Sequence, residues 1–205
     1  MVESHNSALV LDGTGRSEIY HKSRLVVGVE MTPWPAIFCP IDDKLGGVMG
    51  RDLPQEEASC LNLIAGSDTV AVGTAICYES VYGEYCTEYI KAGARLLAVI
   101  TNDSWWGDTP GYRQHLSYSS LRAIETRRDV VRCGNTGISA FINQRGDILS
   151  ESSWWEPAVL SGTANLADGE TFFVREGDLV GRLCQFAAAF LLLSLLVRVV
   201  TRRRR

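Results

Sequence analysis

The sequence predicts an α/β layered domain followed by a C-terminal transmembrane helix. Strand-like and helix-like apolar patterns alternate between residues 69 and 128, and short strands alone follow residue 130. An apolar run of eighteen residues, 183–200, ends in a block of arginines. A composition 46% apolar, 21% charged and 9% aromatic is that of a folded domain with an appendage, which excludes disorder, collagen and simple repeats.

Taken in order, residues 6–11 (NSALVL) form a short apolar run stopped by Asp12-Gly13-Thr14-Gly15, and residues 17–22 follow as its hairpin partner. Residues 31–68 read as loop, because Pro33, Pro35, Pro40, Pro54 and Gly46-Gly47 break any long element. Residues 69–76 (TVAVGTAI) are small and β-prone. Val81, Tyr85, Tyr89 and Ala92 then recur at helical spacing until Gly93 stops them. Residues 96–101 (LLAVIT) are continuously apolar, as in a strand covered on both faces. The loop NDSWWGDTPG leads into a helix from Tyr112 to about Arg128. Residues 130–132, 138–143 and 147–150 are short strands, with a turn at Gln144-Arg145-Gly146.

The formal charge of −4 hides a split: residues 182–205 hold six arginines and no acid, so residues 1–181 sum to −10. A body of that charge repels phosphate, which argues against nucleic acid as a partner. The run 183–200 (LCQFAAAFLLLSLLVRVV) covers about 27 Å as a helix, enough for a thin bilayer core if Arg198 snorkels. It is apolar all round and followed by Thr201 and four arginines, which by the positive-inside rule puts the C-terminus in the cytoplasm and the body on the other side. The competing reading is a buried C-terminal helix. The first residues, MVESHNSALVLDG, have no basic n-region and no adequate apolar h-region, so no signal peptide is expected there. The expectation is therefore that Met1 is not the natural start and that membrane spans lie upstream. The domains expected are 1–178 for the body, 179–201 for the transmembrane helix and 202–205 for a basic cytoplasmic tail.

Six cysteines (Cys39, Cys60, Cys77, Cys86, Cys133, Cys184) without a C-x-x-C pair do not make a disulfide scaffold, though a pair such as Cys39 and Cys60 can oxidise outside the cytoplasm. The three histidines, His5, His21 and His115, are scattered, so no metal site is expected. Cys77 sits where the strand ending at Ile76 meets the helix beginning near Val81. A sulfur at such a strand tip lies close to a helix N-terminus, whose partial positive charge favours a thiolate, and several unrelated folds place a nucleophile on this turn. Alone, Cys77 also fits a small buried hydrophobe. Lys22 closes the second hairpin strand and Glu30 follows it: a lysine beside a cysteine can hold a thiolate and stabilise an oxyanion, and a carboxylate keeps that ammonium charged and oriented. Both are equally compatible with solvated surface charges.

The combination of YHKSRLVVGVE, AICYESVYGE, LLAVITNDSWWG and GNTGISAFINQRGDI, in that order over about residues 6–165, resembles the carbon-nitrogen hydrolase (nitrilase) superfamily. Within it, the motifs are similar to those of the branch that acylates apolipoproteins, and the apolar C-terminal segment after FFVREGDLVGR looks like that branch's last membrane span. The resemblance implies part of a four-layer αββα sandwich with a Glu, Lys and Cys triad. Lys22 matches the triad lysine, Cys77 the nucleophile, and Glu30 an additional glutamate that hydrogen-bonds around the lysine. Tyr78 and Glu79 match the pair that shapes the pocket, and the Tyr78 N–H with Lys22 matches the oxyanion hole. Asn102, Trp105 and Trp106 match the loop beside the site, where the tryptophans line an acyl-chain cavity, sit at the membrane surface, or simply pack.

What the resemblance implies chemically is acyl transfer from a phospholipid to an apolipoprotein at a membrane, through a cysteine thioester and without a cofactor. The family's general base lies on a strand before residues 6–11; Glu3 and Glu18 match no motif, so the chain as given is expected to lack the base. General-base assistance contributes roughly 10²- to 10⁴-fold, so the chain alone is expected to be nearly inactive, with sheet edges and apolar faces uncovered. Two other functions fit the same residues: hydrolysis of a small amide or nitrile, and a membrane-anchored, non-catalytic binding domain with Cys77 as a structural thiol. A papain-like pairing of Cys77 with His115 and Asn135 is a further arrangement, which predicts that His115→Ala abolishes activity and Lys22→Ala does not.

Overall fold

Local turn chemistry sets the first hairpin. β1 (Ser7–Leu11) and β2 (Ser17–His21) pair antiparallel from Ser7↔His21 to Leu11↔Ser17. Asp12 closes the turn by accepting from the N–H groups of Thr14 and Arg16, and Gly15 supplies the positive φ of 84°. Ala8 and Tyr20, directly opposite one another, enter the core, while Leu9, Leu11 and Ile19 on the other face stay exposed. The uncovered apolar face expected from the sequence is therefore present. This computed structural model describes residues 4–203; Met1, Glu3, Arg204 and Arg205 lie outside the described residues.

Residues 31–68 are not all loop. They contain α1 (Pro35–Lys44) and β3 (Cys60–Ala65). Pro35 starts the helix rather than breaking it, because the N–H it lacks has no partner at the first position. Pro40 lies inside, but α1 is largely exposed, so the carbonyl it leaves unpaired faces water. Asp42, the buried residue of α1, accepts from the N–H groups of Val48 and Met49 at 2.9 and 3.1 Å and folds the following loop back.

Six strands form the main sheet in the order β3-β4-β5-β6-β7-β8. β3 meets β4 (Asp68–Ile76) across the two-residue turn Gly66-Ser67. The parallel strands β4, β5 (Leu96–Asn102) and β6 (Val130–Asn135) are joined by crossovers through α2 (Gly83–Lys91) and α3 (Gly111–Thr126). β7 (Ala140–Ile142) and β8 (Ile148–Glu151) extend the sheet antiparallel. α2 packs so closely on β4 that a Cβ at Gly73 would lie 2.6 Å from the Tyr89 Cβ; glycine is the residue that lets the tyrosine ring lie there. The hairpin lies against β3 and β4, and α4 (Phe172–Glu176) packs on α2 and α3. The described residues thus supply one helical layer, a six-stranded sheet and two strands of a second sheet.

α5 (Leu179–Arg203) is long and apolar enough to cross a membrane, and none of its apolar run is buried against the domain. Among the described residues nothing covers it, which departs from the reading of a buried C-terminal helix. Its start is tethered to α2, because the Asp178 N–H donates to Glu84 at 2.8 Å. All six cysteines are free thiols; Cys39 lies on α1 and Cys60 on β3, unpaired.

Candidate active site

β4 ends at Ile76, and Cys77 begins a 3-10 turn, Cys77–Val81, with φ of 53°. The α-helix proper starts only at Gly83, later than the sequence suggests, so the N–H groups beside Cys77 are those of the short turn. A left-handed backbone at a non-glycine costs about 1–2 kcal/mol, so its surroundings must hold it. Here the Cys77 carbonyl accepts from Ser80 Oγ at 2.9 Å and meets His115 Nε2 at 3.2 Å. The pairing of Cys77 with His115 and Asn135 is not formed: the imidazole faces the Cys77 carbonyl and Ser80 on one side and Asp103 on the other.

β2 delivers Lys22 to the same place. Its ammonium is buried and donates to both oxygens of Glu30, at 2.8 and 2.7 Å. Glu30 also accepts from the Val26 N–H and from Asn6 Nδ2, each at 2.7 Å. Partial burial works to raise the Glu30 carboxyl, but these bonds and the Lys22 charge outweigh it and hold the group below its usual range. Neither residue is a solvated surface charge. Asn6, the first residue of the apolar run before β1, carried no signal of this role in the sequence.

Glu79 is fully buried and stands behind the cleft rather than lining it. One carboxylate oxygen accepts from the N–H groups of Ser23 and Arg24 at 2.7 and 3.0 Å, and the other from the Ile76 N–H at 2.8 Å. It therefore staples the residue after Lys22 to the residue before Cys77. The Tyr20 hydroxyl reaches it at 2.9 Å. Burial pushes the Glu79 carboxyl up, and its hydrogen bonds offset only part of this. Burial beside Glu79 also raises the Tyr20 and Tyr89 hydroxyls, which remain protonated donors.

Cys77, Lys22, Glu30 and Tyr78 open together into a cleft of about 610 Å³, whose further walls include Val26, Val29 and Ile100. Asn102, Trp105 and Trp106 form one rim. Asn102 acts locally: its side chain accepts from the Ser104 N–H at 3.2 Å and caps the 3-10 turn Asp103–Trp106. Trp105 is 73% exposed, so core packing does not explain it, whereas Trp106 lies against Gly111 and near the His115 ring. Seven of the eight residues singled out in the sequence thus converge on one apolar-walled cleft, with Glu79 behind it.

The carbon-nitrogen hydrolase profile matches residues 2–172. The chain is 36% identical over 188 residues to the apolipoprotein N-acyltransferase of Geobacter metallireducens, covering 90% of this chain and 34% of that protein. It is 31% identical over 199 residues to the one of Chlorobaculum tepidum, covering 95% and 37%. It therefore spans about a third of the length of these relatives. The carbon-nitrogen hydrolase of Helicobacter pylori G27 superimposes with a TM-score of 0.54 at 14% identity, covering 74% of this chain and 54% of that one. For Saccharomyces cerevisiae Nit3, of the nitrilase superfamily, the TM-score is 0.50 at 17% identity, covering 75% and 51%. A profile that spans most of the sequence, and a sheet and helix layer shared with a solved carbon-nitrogen hydrolase, lead to one conclusion: the chain belongs to the carbon-nitrogen hydrolase family.

Proposed function

We propose that this chain is the cysteine-bearing part of an acyltransferase that moves an acyl chain from a phospholipid to the N-terminal amine of a diacylglyceryl-cysteine apolipoprotein. The observation that carries the reading is an apolar-walled cleft in which Cys77 meets the buried Lys22–Glu30 pair, on a domain that bears an unburied apolar helix. Lipid substrates suit both the walls and the anchor. The proposed organisation is a domain over residues 1–178, a transmembrane helix over 179–201 and a basic tail over 202–205, in the inner membrane with the cleft on the periplasmic side and the C-terminus cytoplasmic.

In the first half-reaction the Cys77 thiolate attacks the donor ester carbonyl. A C–S bond forms, the C–O bond breaks, and the lysophospholipid alkoxide leaves with a proton. In the second, the acceptor amine attacks the thioester, a C–N bond replaces the C–S bond, and the amine loses a proton as the thiolate is released. Lys22 and the Tyr78 N–H stabilise the oxyanion of both tetrahedral intermediates. Glu30, the one carboxylate among the cleft residues described, is held by Lys22, Val26 and Asn6, so it orients the lysine and does not serve as the base. The base that the family implies is not among these residues, and turnover by this chain alone is proposed to be slower by roughly 10²- to 10⁴-fold.

The test is intact mass of the chain after prolonged incubation in detergent with phospholipid. One added acyl chain, removed by hydroxylamine and absent in Cys77→Ala and Lys22→Ala, is the expected result. A chain that stays unmodified would leave the binding-domain reading, and release of free fatty acid alone would leave the hydrolase.

A further inference from the structure

The mechanism above leaves three buried charged or titratable groups behind Cys77 unused. His115 on α3 is 2% exposed, Asp103 after β5 is 0%, and Arg132 on β6 is 2%. His115 Nδ1 lies 2.8 Å from Asp103 Oδ1, and the Arg132 guanidinium donates to Asp103 Oδ2 at 2.6 Å. Thr101 Oγ1 adds a donor to the same carboxylate at 3.1 Å. Burial works to raise the Asp103 carboxyl, yet His115 and Arg132 outweigh it and hold it below the usual range, so this carboxylate only accepts. On its other side the imidazole presents Nε2 to Ser80 Oγ at 3.1 Å and to the Cys77 carbonyl at 3.2 Å. A carbonyl also only accepts, so the geometry has His115 donating to it from Nε2, while Asp103 and, at 3.3 Å, the Arg132 guanidinium hold the Nδ1 side of the ring.

The consequence follows from the planarity of the peptide unit. The bond between Cys77 and Tyr78 is trans, so its C=O and N–H point in opposite directions. Two donors, His115 and Ser80, hold the C=O away from the cleft, and the N–H that belongs to the same plane is thereby aimed into it, where Tyr78 forms part of the wall. The same two hydrogen bonds offset part of the cost of the left-handed φ of 53° at Cys77.

We infer that His115, braced by Asp103 and Arg132, is a positioning residue that aims the Tyr78 N–H at the developing oxyanion by holding the Cys77 carbonyl. The inference rests on Cys77 being the nucleophile, and it deepens that reading: the imidazole touches neither substrate nor sulfur. It also separates two kinds of reaction at one sulfur. Acylation by an ester passes through an oxyanion and needs the N–H, whereas alkylation by iodoacetamide is a direct displacement of iodide and does not.

The test compares both rates at Cys77, followed by peptide mass, for the full chain in detergent with p-nitrophenyl butyrate and with iodoacetamide. The variants are His115→Asn, whose amide reaches toward Asp103, and His115→Gln, whose amide N–H reaches toward the Cys77 carbonyl but cannot take up a proton. Losing one oxyanion donor outright slows acyl transfer by roughly 10²- to 10³-fold, and misaiming it by less. His115→Asn is expected to slow acylation by about 10- to 100-fold with alkylation within about twofold of wild type, and His115→Gln to recover most of the loss. Near-UV circular dichroism reports that the variants are folded. Three results would overturn the inference: acylation unaffected by either variant, alkylation and acylation falling together, or Gln no better than Asn, which is the pattern of a base. A wild-type chain that is alkylated at Cys77 but never acylated would overturn the proposed function along with it.

Discussion

Glu30→Gln probes the pair on which the cleft depends. The variant keeps shape and volume but removes the counter-charge of an ammonium that is 1% exposed, beside a carboxylate 13% exposed. Glu30 accepts four hydrogen bonds, two of them from Lys22. A glutamine has one acceptor oxygen, and its NH₂ must face donors in either orientation, Lys22 together with Asn6 Nδ2 or with the Val26 N–H. Breaking a fully buried pair costs about 3–5 kcal/mol, and slight exposure of Glu30 reduces this to about 2–4 kcal/mol. For a domain of this size that is a fall in Tm of about 4–16 °C, read by near-UV circular dichroism in detergent at pH 7. The pH dependence has a definite sign. Because the folded Glu30 value lies below the ordinary 4.5, its contribution is complete above 4.5 and is lost as pH falls through the lower folded value. Wild type and variant should therefore converge in acid. A Tm difference under about 1 °C at pH 7, or one that widens on acidification, would refute the argument.

Two further outcomes follow from the geometry. Glu79→Gln leaves either the Ile76 N–H or the paired Ser23 and Arg24 N–H groups facing an amide donor, so it should cost about 1–3 kcal/mol and slow acylation of Cys77 by every ester alike; a preference change among acyl lengths with unchanged Tm would instead make it a pocket residue. Ending the chain after Asp178 removes α5, whose apolar run is not buried against the domain, so the truncated protein should leave the detergent phase in a Triton X-114 partition while the full chain stays in it; identical partitioning of the two would count against the membrane role of the helix.

From β4 to β8 the strands and α-helices were legible because their signals are local. Short β-prone and apolar runs, Gly93 at φ 96° and the turn at Gly146 each act within a few residues. The failure in residues 31–68 came from treating proline as a breaker at every position, when Pro35 sits where a helix begins and Pro40 where water can reach the freed carbonyl. β3 did carry a signal, Gly66-Ser67 between two apolar runs, which is a hairpin turn. At the site, Cys77, Lys22 and Glu30 were recoverable from motifs. Glu79 was singled out with them, but its role as a staple was not legible, because two of its partners are backbone N–H groups 55 and 56 residues away and no side-chain pattern marks a backbone donor. The brace of Asp103, His115 and Arg132 is non-local in the same way: 3-10 turn, helix and strand contribute one member each, and only the sheet brings them together.

The central claim is that Cys77 carries an acyl chain onward to an amine. The most direct measurement isolates the acylated chain, removes donor lipid, and adds a synthetic diacylglyceryl-cysteine peptide, following both products by mass. The account predicts that the acyl group appears on the peptide amine as an amide while Cys77 returns to the free thiol, and that a peptide with an acetylated N-terminus accepts nothing. Loss of the acyl group to water at the same rate with and without the peptide would contradict it.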